Sequence, residues 1–280
     1  MKALLLLLRP HQWLKNLVLF FPPFLGGKLT TLAVAGNVLW LAPLAFCLAS
    51  SSAYIINDLC DAEADRNHPQ KCRRPIASGQ VTQASAVVMA LCCLAGAFVV
   101  AFMVGGLFSV LLLIYLGISL AYSTGLKHLP VIDIFCISSG FVVRLFAGGF
   151  AFKVVISDWL FLSVFLLALF LSAGKRLGET QELGADCGEH RKVLKKYPPG
   201  ALDLFMAISA ATVLVTYTMY VVTKHRLVYT VPLCCFGLFR YMLNVKRGGS
   251  GDPTDALLKD PILFAVGCLW AIMVGLAVYL

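Results

Sequence analysis

The stretch VLWLAPLAFCLASSSAYIINDLCDAEADRNHPQKCRRP (38–75) runs from Val38 to Asn57 without a charge and then alternates acid and base. About 20 largely apolar residues is the length of a membrane-spanning helix. The rest of the chain repeats the first half of this pattern. Of its 280 residues 60% are hydrophobic and 13% charged, with mean hydropathy +0.86. An ordinary soluble domain is about 45–50% apolar and about 25% charged. So little charge cannot cover a water-facing surface of this size, which excludes a soluble globule and a disordered chain. The expected fold is an all-α polytopic membrane protein, one integral-membrane domain over 1–280.

Apolar runs between charged or turn-rich breaks give nine expected spans: 14–34, 38–57, 82–104, 107–124, 132–152, 158–174, 200–223, 227–243 and 262–280. Pro22-Pro23 bends the first of these, and Lys28 lies inside it. Gly105-Gly106 implies a tight hairpin between the third and fourth. The apolar core from Ala3 to Leu8 is too short for a cleavable leader and lacks a small-residue cleavage site. It is expected to lie in the interface, with Trp13 at headgroup level and Arg9 and Lys15 reaching phosphates. The ten cysteines do not suggest a disulfide framework or a zinc site; pairs such as Cys92-Cys93 and Cys234-Cys235 sit in apolar runs as small hydrophobes.

The net charge of +9 would hint at nucleic acid in a soluble protein; here it reports topology and anionic headgroups, and no nucleic-acid partner is expected. With the N-terminus in the cytoplasm, eighteen Lys and Arg fall inside and only Lys28, Lys153, Lys224 and Arg226 outside, Arg144 being within a span. Basic residues collect on the cytoplasmic side, so this orientation is the expected one, in the cell inner (plasma) membrane. Of the 14 carboxylates only Asp158 falls outside. Insertion demands no carboxylates there, whereas a site for a metal and a phosphorylated substrate uses both signs. The expected cytoplasmic active-site loops are 58–81, 125–131, 175–199 and 244–261.

Asp58, Asp61 and Asp65 follow i, i+3, i+7 spacing, which stacks them on one helix face beside Asn57. Three like charges on a stripe repel unless a cation sits among them, and an all-oxygen set suits Mg²⁺. They are the expected catalytic and metal-ligating residues. Lys71, Arg73 and Arg74 follow in a turn-rich loop and offer donors for phosphate oxygens. The alternatives at these positions are a solvated acidic helix end and a plain topology signal.

Asn57-Asp58-x-x-Asp61-x-x-x-Asp65 followed by Arg74-Pro75-x-x-Ser78-Gly79 resembles the first aspartate-rich motif of the UbiA superfamily of intramembrane prenyltransferases. That resemblance implies about nine helices around a central cavity opening to the cytoplasm, with a magnesium diphosphate at its mouth. Aromatic prenyltransferases of the superfamily carry a second aspartate motif after the sixth span. This chain reads Lys175-Arg176-Leu177-Gly178-Glu179 there. With Arg9-Pro10-x-Gln12-Trp13-x-Lys15-Asn16, Asp65-Arg66-x-His68-Pro69-x-Lys71 and Tyr122-Ser123-x-x-Leu126-Lys127 before Asp133, it resembles the decaprenyl-phosphate phosphoribosyltransferase branch. The resemblance implies transfer of a 5-phosphoribosyl group from phosphoribosyl diphosphate to a polyprenyl phosphate, for cell-envelope polysaccharide precursors.

Three kinds of phosphate call for more cations and fewer carboxylates than one diphosphate does, which suits Lys175 and Arg176. The expected substrate-binding residues are Asn57, Lys15, Lys71, Arg74, Tyr122, Lys127, Arg144, Lys175 and Arg176. Arg144, mid-span, either faces the cavity or makes a structural pair. His68 is expected near the site without a direct metal role, and Arg240 and Asp252 to Asp260 carry no assigned role. The rival readings are prenyl transfer to an aromatic acceptor, for which Glu179 and Glu182 are a weak acidic pair, and an anionic-lipid carrier or flippase. The sequence leaves monomer and homo-oligomer both open.

Overall fold

The computed structural model describes residues 2–29, 36–183, 193–224 and 227–280, and every regular element among them is helical. The elements are α1 (Lys2–Leu8), a 3₁₀ segment (Pro10–Phe20), α2 (Phe21–Leu25), α3 (Val38–Cys60), α4 (Ala62–Arg66), α5 (Gln83–Val104), α6 (Gly106–Thr124), α7 (Ile132–Ala151), α8 (Asp158–Leu183), α9 (Ala201–Val222), α10 (Val231–Lys246), α11 (Pro253–Lys259) and α12 (Pro261–Tyr279). Eight helices are long and apolar enough to cross a membrane, α10 being counted with the 3₁₀ turn before it. They fall on the last eight expected spans. α8 runs furthest past expectation, to Leu183, because Arg176 and Glu179 form an i, i+3 ion pair on its polar last turns.

The first expected span, 14–34, is not one continuous helix. Its described part is the end of the 3₁₀ segment, the short α2 and a turn at Gly26-Gly27. Proline at 22 and 23 removes two backbone donors, and Gly27 takes a positive φ of 70°, so the helix cannot continue. Residues 30–34 of that span, Arg191 and Lys192 of the 175–199 loop, and Arg226 lie outside the described residues. The nine cysteines within them are free.

The chain divides into two compact units, residues 1–21 with 31–154 and residues 22–30 with 155–280. In the first, α3 packs chiefly on α5. Ala86, Ala90, Cys93, Ala97 and Ala101 form a buried small-residue seam on α5. Lipid tails are as apolar as leucine, so helices in a membrane gain by close approach, which small side chains permit. Ser52 uses that proximity to donate to the Ala90 carbonyl at 2.9 Å. The other face of α5 leaves Val88, Leu91, Val99 and Phe102 exposed, as a lipid-facing surface should be. The α5–α6 hairpin turns at Gly105 with φ 149° and ψ 160°, a conformation that in practice only glycine adopts.

In the second unit α8 packs chiefly on α9, and α10 on α12. Asp260 begins α12 by accepting from the backbone N–H groups of Ile262 (3.0 Å) and Leu263 (3.2 Å). The Arg240 guanidinium donates to the same carboxylate, and that bond holds the Asp260 carboxyl well below the usual carboxylate range. A depressed acid contributes stability above its unfolded value, about 3.9, and loses it as pH falls through the folded value. Asp260→Asn keeps the cap and loses the Arg240 ion pair, so it is expected to lose no more than about 1 kcal/mol at neutral pH, with the deficit closing only in strong acid. Thermal unfolding in detergent across pH checks this.

Candidate active site

The site is built where α3 ends. The i→i−4 backbone bonds continue through Asp61 (to Asn57) and Asp65 (to Asp61), so the three aspartates keep helical register across the α3–α4 junction. Asp58 and Asp65 are almost wholly buried, at 2% and 4% exposure. Burying carboxylates demands partners, and each has cations. Arg74 Nη1 donates to Asp58 Oδ1 at 3.0 Å and to Asp65 Oδ2 at 2.6 Å. Arg9 Nη2 donates to both oxygens of Asp58, at 2.6 and 2.8 Å, with its guanidinium over the Tyr54 ring. Asp61 faces another way: it accepts from Lys127 Nζ and from Asn57 Nδ2. Ser123 on α6 donates to Asn57 Oδ1 at 3.3 Å and completes the set.

The three carboxylates therefore do not converge as a ready cage. Among the described residues no three His, Cys, Asp or Glu are placed to hold one ion. Asp58 and Asp65 do converge on a single guanidinium nitrogen, which marks a point where both carboxylates stabilise one cation. Mg²⁺ typically takes one or two protein carboxylates and completes its octahedron with water and phosphate oxygens. An all-oxygen pair beside a third aspartate and an asparagine fits that ion. Burial pushes the Asp65 carboxyl above its ordinary range, with Arg74 opposing.

Arg9 corrects the sequence reading. It was expected to reach lipid phosphates and instead reaches Asp58, 49 positions away. Its backbone is left-handed, φ 52° and ψ 58°, which for a residue with a Cβ costs about 1–2 kcal/mol. That turn breaks α1 from the 3₁₀ segment. α1 itself is anchored by Leu7, which joins Ile55, Ala62, Ile76, Val81, Ala86 and Ala90 in a buried cluster. Trp13 is likewise not a headgroup anchor, since its Nε1 donates to Ser51 Oγ on α3 at 3.0 Å.

Loop 66–81 folds back over the helix end. Its pivot is His68, 7% exposed, whose Nδ1 accepts from the backbone N–H groups of Gln70 (3.2 Å) and Lys71 (3.3 Å). His68 thus shapes the loop that presents Lys71 and Arg74. Lys15, Lys71 and Tyr122 are half-buried.

Arg144 is not placed among the aspartates. It is 4% exposed, and each of its nitrogens donates to a neutral acceptor: Nε to Asn16 Oδ1 (2.7 Å), Nη1 to the Gly140 carbonyl (2.9 Å) and Nη2 to Tyr115 Oη (3.0 Å). The Tyr115 ring lies 4.5 Å from the guanidinium carbon. Arg144 therefore ties the 3₁₀ segment and α6 to α7. Of the two readings open for Arg144, facing the cavity or making a structural contact, these three bonds fit the structural one.

Lys175 and Arg176 belong to the second unit. Lys175 Nζ donates to Asp252 at 3.1 Å; Arg176, 1% exposed, pairs with Glu179 at 2.8 Å. Glu179 is thus committed to Arg176. Among the residues that sequence reasoning did not assign to the site, Arg9 carried one signal, a charge and a proline interrupting an apolar run. Ser123 carried only its place in the motif Tyr122-Ser123-x-x-Leu126-Lys127.

The profile of the UbiA prenyltransferase family matches residues 19–265. A decaprenyl-phosphate phosphoribosyltransferase of Mycolicibacterium smegmatis is 34% identical, over 97% of this chain and 91% of that protein. One from Corynebacterium glutamicum is 32% identical, over 98% and 86%. The solved structure of a UbiA homologue from Archaeoglobus fulgidus bound to GPP and Mg²⁺ superposes with a TM-score of 0.72, at 21% identity over 98% of each chain, a likeness of fold. With the family profile spanning most of the helices and relatives at a third identity nearly end to end, the chain belongs to the UbiA prenyltransferase family.

Proposed function

We propose that this protein transfers a 5-phosphoribosyl group from phosphoribosyl diphosphate to a polyprenyl phosphate at the cytoplasmic face of the inner membrane, its N-terminus inside. The observation that carries the reading is the pair of buried carboxylates, Asp58 and Asp65, sharing one cation inside a ring of Arg9, Arg74 and Lys127. Relatives named for this activity along nearly the whole chain support the choice of substrates.

In the reaction the ribose C1–O bond to diphosphate breaks, and a new C1–O bond forms to the lipid phosphate oxygen. Asp58 and Asp65, with Asp61 beside them, would hold the Mg²⁺, which when bound neutralises charge on the departing diphosphate. Arg9 and Arg74 release part of their hold on the aspartates and donate to diphosphate oxygens, stabilising the charge that builds as C1 gains oxocarbenium character. Lys71 lies on the same loop and adds a further donor. Lys127 and Asn57 keep Asp61 oriented while its neighbours bind. Lys15, by its charge, and Tyr122, by the family resemblance, are assigned to substrate phosphates, while Arg176, 1% exposed, stays in its pair with Glu179 and Lys175 in its pair with Asp252. The lipid phosphate is anionic at neutral pH, so its oxygen attacks without a general base.

The test supplies purified protein with Mg²⁺, labelled phosphoribosyl diphosphate and decaprenyl phosphate, and follows labelled lipid and released diphosphate. The expected result is stoichiometric formation of both, silenced by EDTA. Turnover only in parallel tubes holding a prenyl diphosphate and an aromatic acid would replace this reading with aromatic prenyl transfer.

Lys127→Met is expected to lower turnover by about 10-fold to 100-fold, since Asp61 loses its cation, and to leave lipid-phosphate affinity nearly unchanged. Initial rates against each substrate separate the two effects.

A further inference from the structure

We propose that a pocket between the end of α10 and the start of α12 holds the headgroup of an anionic phospholipid, through Arg240, Arg247 and Lys259. It is an open depression of about 450 Å³, within the volume range of small-ligand sites, and its lining includes none of Asp58, Asp61 and Asp65. Arg240, Asn244 and Arg247 come from α10, the turn at 248–250 forms one wall, and Lys259, Asp255 and Asp260 form the other. Three cations therefore face two carboxylates.

The carboxylates are occupied. Asp260 accepts from Arg240 Nε (2.7 Å) and Nη2 (3.3 Å), from Asn244 and from the first N–H groups of α12. Asp255 accepts from Lys259 at 3.1 Å and lies 3.5 Å from Ser250 Oγ. The Arg247 side chain has no hydrogen-bond or ion-pair partner among the described residues, and it lines the same cavity. The pocket thus keeps a positive surplus and spare guanidinium donors, which is what a phosphodiester needs. The Ser250 hydroxyl offers an acceptor for hydroxyls on the same headgroup.

The pocket's place in the fold selects a lipid over a soluble ester. Two helices long enough to cross a membrane end and begin here, which puts the pocket at headgroup depth. On the same helices, next in sequence to lining residues, Phe239, Leu243, Leu258 and Ile262 are 60%, 42%, 57% and 47% exposed. A soluble phosphate would leave these apolar side chains uncovered, whereas the acyl chains of a lipid cover exposed apolar helix surface. Basic pockets between membrane helices on the cytoplasmic side are suited to anionic headgroups.

The full-length protein in mild detergent is offered phosphatidylglycerol, phosphatidylcholine or glycerol 3-phosphate at matched concentrations. Native mass spectrometry counts bound molecules, and thermal unfolding reads stabilisation. Retention of phosphatidylglycerol over phosphatidylcholine is expected, with glycerol 3-phosphate far weaker. In the double variant Arg247→Ala, Lys259→Ala, affinity for phosphatidylglycerol is expected to fall about 30-fold, roughly fivefold for each cation lost. Both side chains are exposed, so the variant folds, and Arg247→Lys is expected to recover most of the binding. Equal retention of phosphatidylcholine, or undiminished phosphatidylglycerol binding by the double variant, would overturn the proposal. Glycerol 3-phosphate binding as tightly as the lipid would overturn it in favour of a soluble phosphate ester.

Discussion

Asp58→Asn is expected to lower phosphoribosyl transfer by at least about 10²-fold while the protein still purifies as a folded species. Asparagine keeps the volume and one acceptor oxygen at a position 2% exposed, so no cavity opens. Arg74 retains Asp65, and Arg9 retains the Tyr54 ring. What disappears is the negative charge on which both guanidinium groups now converge, and with it half of the carboxylate pair that would take a divalent ion. Rates with labelled donor, set beside thermal unfolding of the same preparation, separate chemistry from folding. Activity within a few-fold of the parent would move the reaction away from these aspartates.

Gly148→Ala is expected to be the most damaging single methyl group in the first unit. A Cβ built there would sit 2.1 Å from the Leu19 carbonyl oxygen and 2.7 Å from its carbon. Both are backbone atoms that no rotamer change can move. α7 must shift away from the 3₁₀ segment, at a cost of about 3 kcal/mol or more. Since Arg9 immediately precedes that segment and Asn16 lies within it, the shift also disturbs the arginine that reaches Asp58 and the acceptor for Arg144. A fall in unfolding midpoint with lost activity is the expected outcome. Gly117→Ala, where a Cβ meets nothing within 4 Å, serves as the matched control and is expected to change neither.

The eight long helices were legible because transfer free energy accumulates over about 20 residues, so a few polar interruptions do not hide the pattern. The aspartate stripe was legible because helical spacing is local: Asn57, Asp58, Asp61 and Asp65 determine one another's neighbours within two turns. Arg9 and Arg144 were not, and for one reason. Their partners lie 49 positions away for Arg9, and 29 and 128 positions away for Arg144, distances over which sequence periodicity carries no information. Arg9 read as a headgroup anchor since charge beside a short apolar run usually is one. The broken helix at 14–34 was half legible: Pro22-Pro23 announced a bend, but the close packing of Gly148 of α7 on the Leu19 backbone joins residues 129 positions apart, which sequence pattern does not report.

The order of synthesis gives Arg144 a further meaning. A guanidinium at the centre of an isolated span costs at least ~2.5 kcal/mol to insert. Asn16, Tyr115 and Gly140, which satisfy its nitrogens, all precede it in the chain. When α7 leaves the ribosome its acceptors have already been made, so the charge finds waiting partners instead of bare hydrocarbon. A circular permutant that begins at α7 would deliver the arginine before Asn16 and Tyr115, and its insertion yield would fall accordingly.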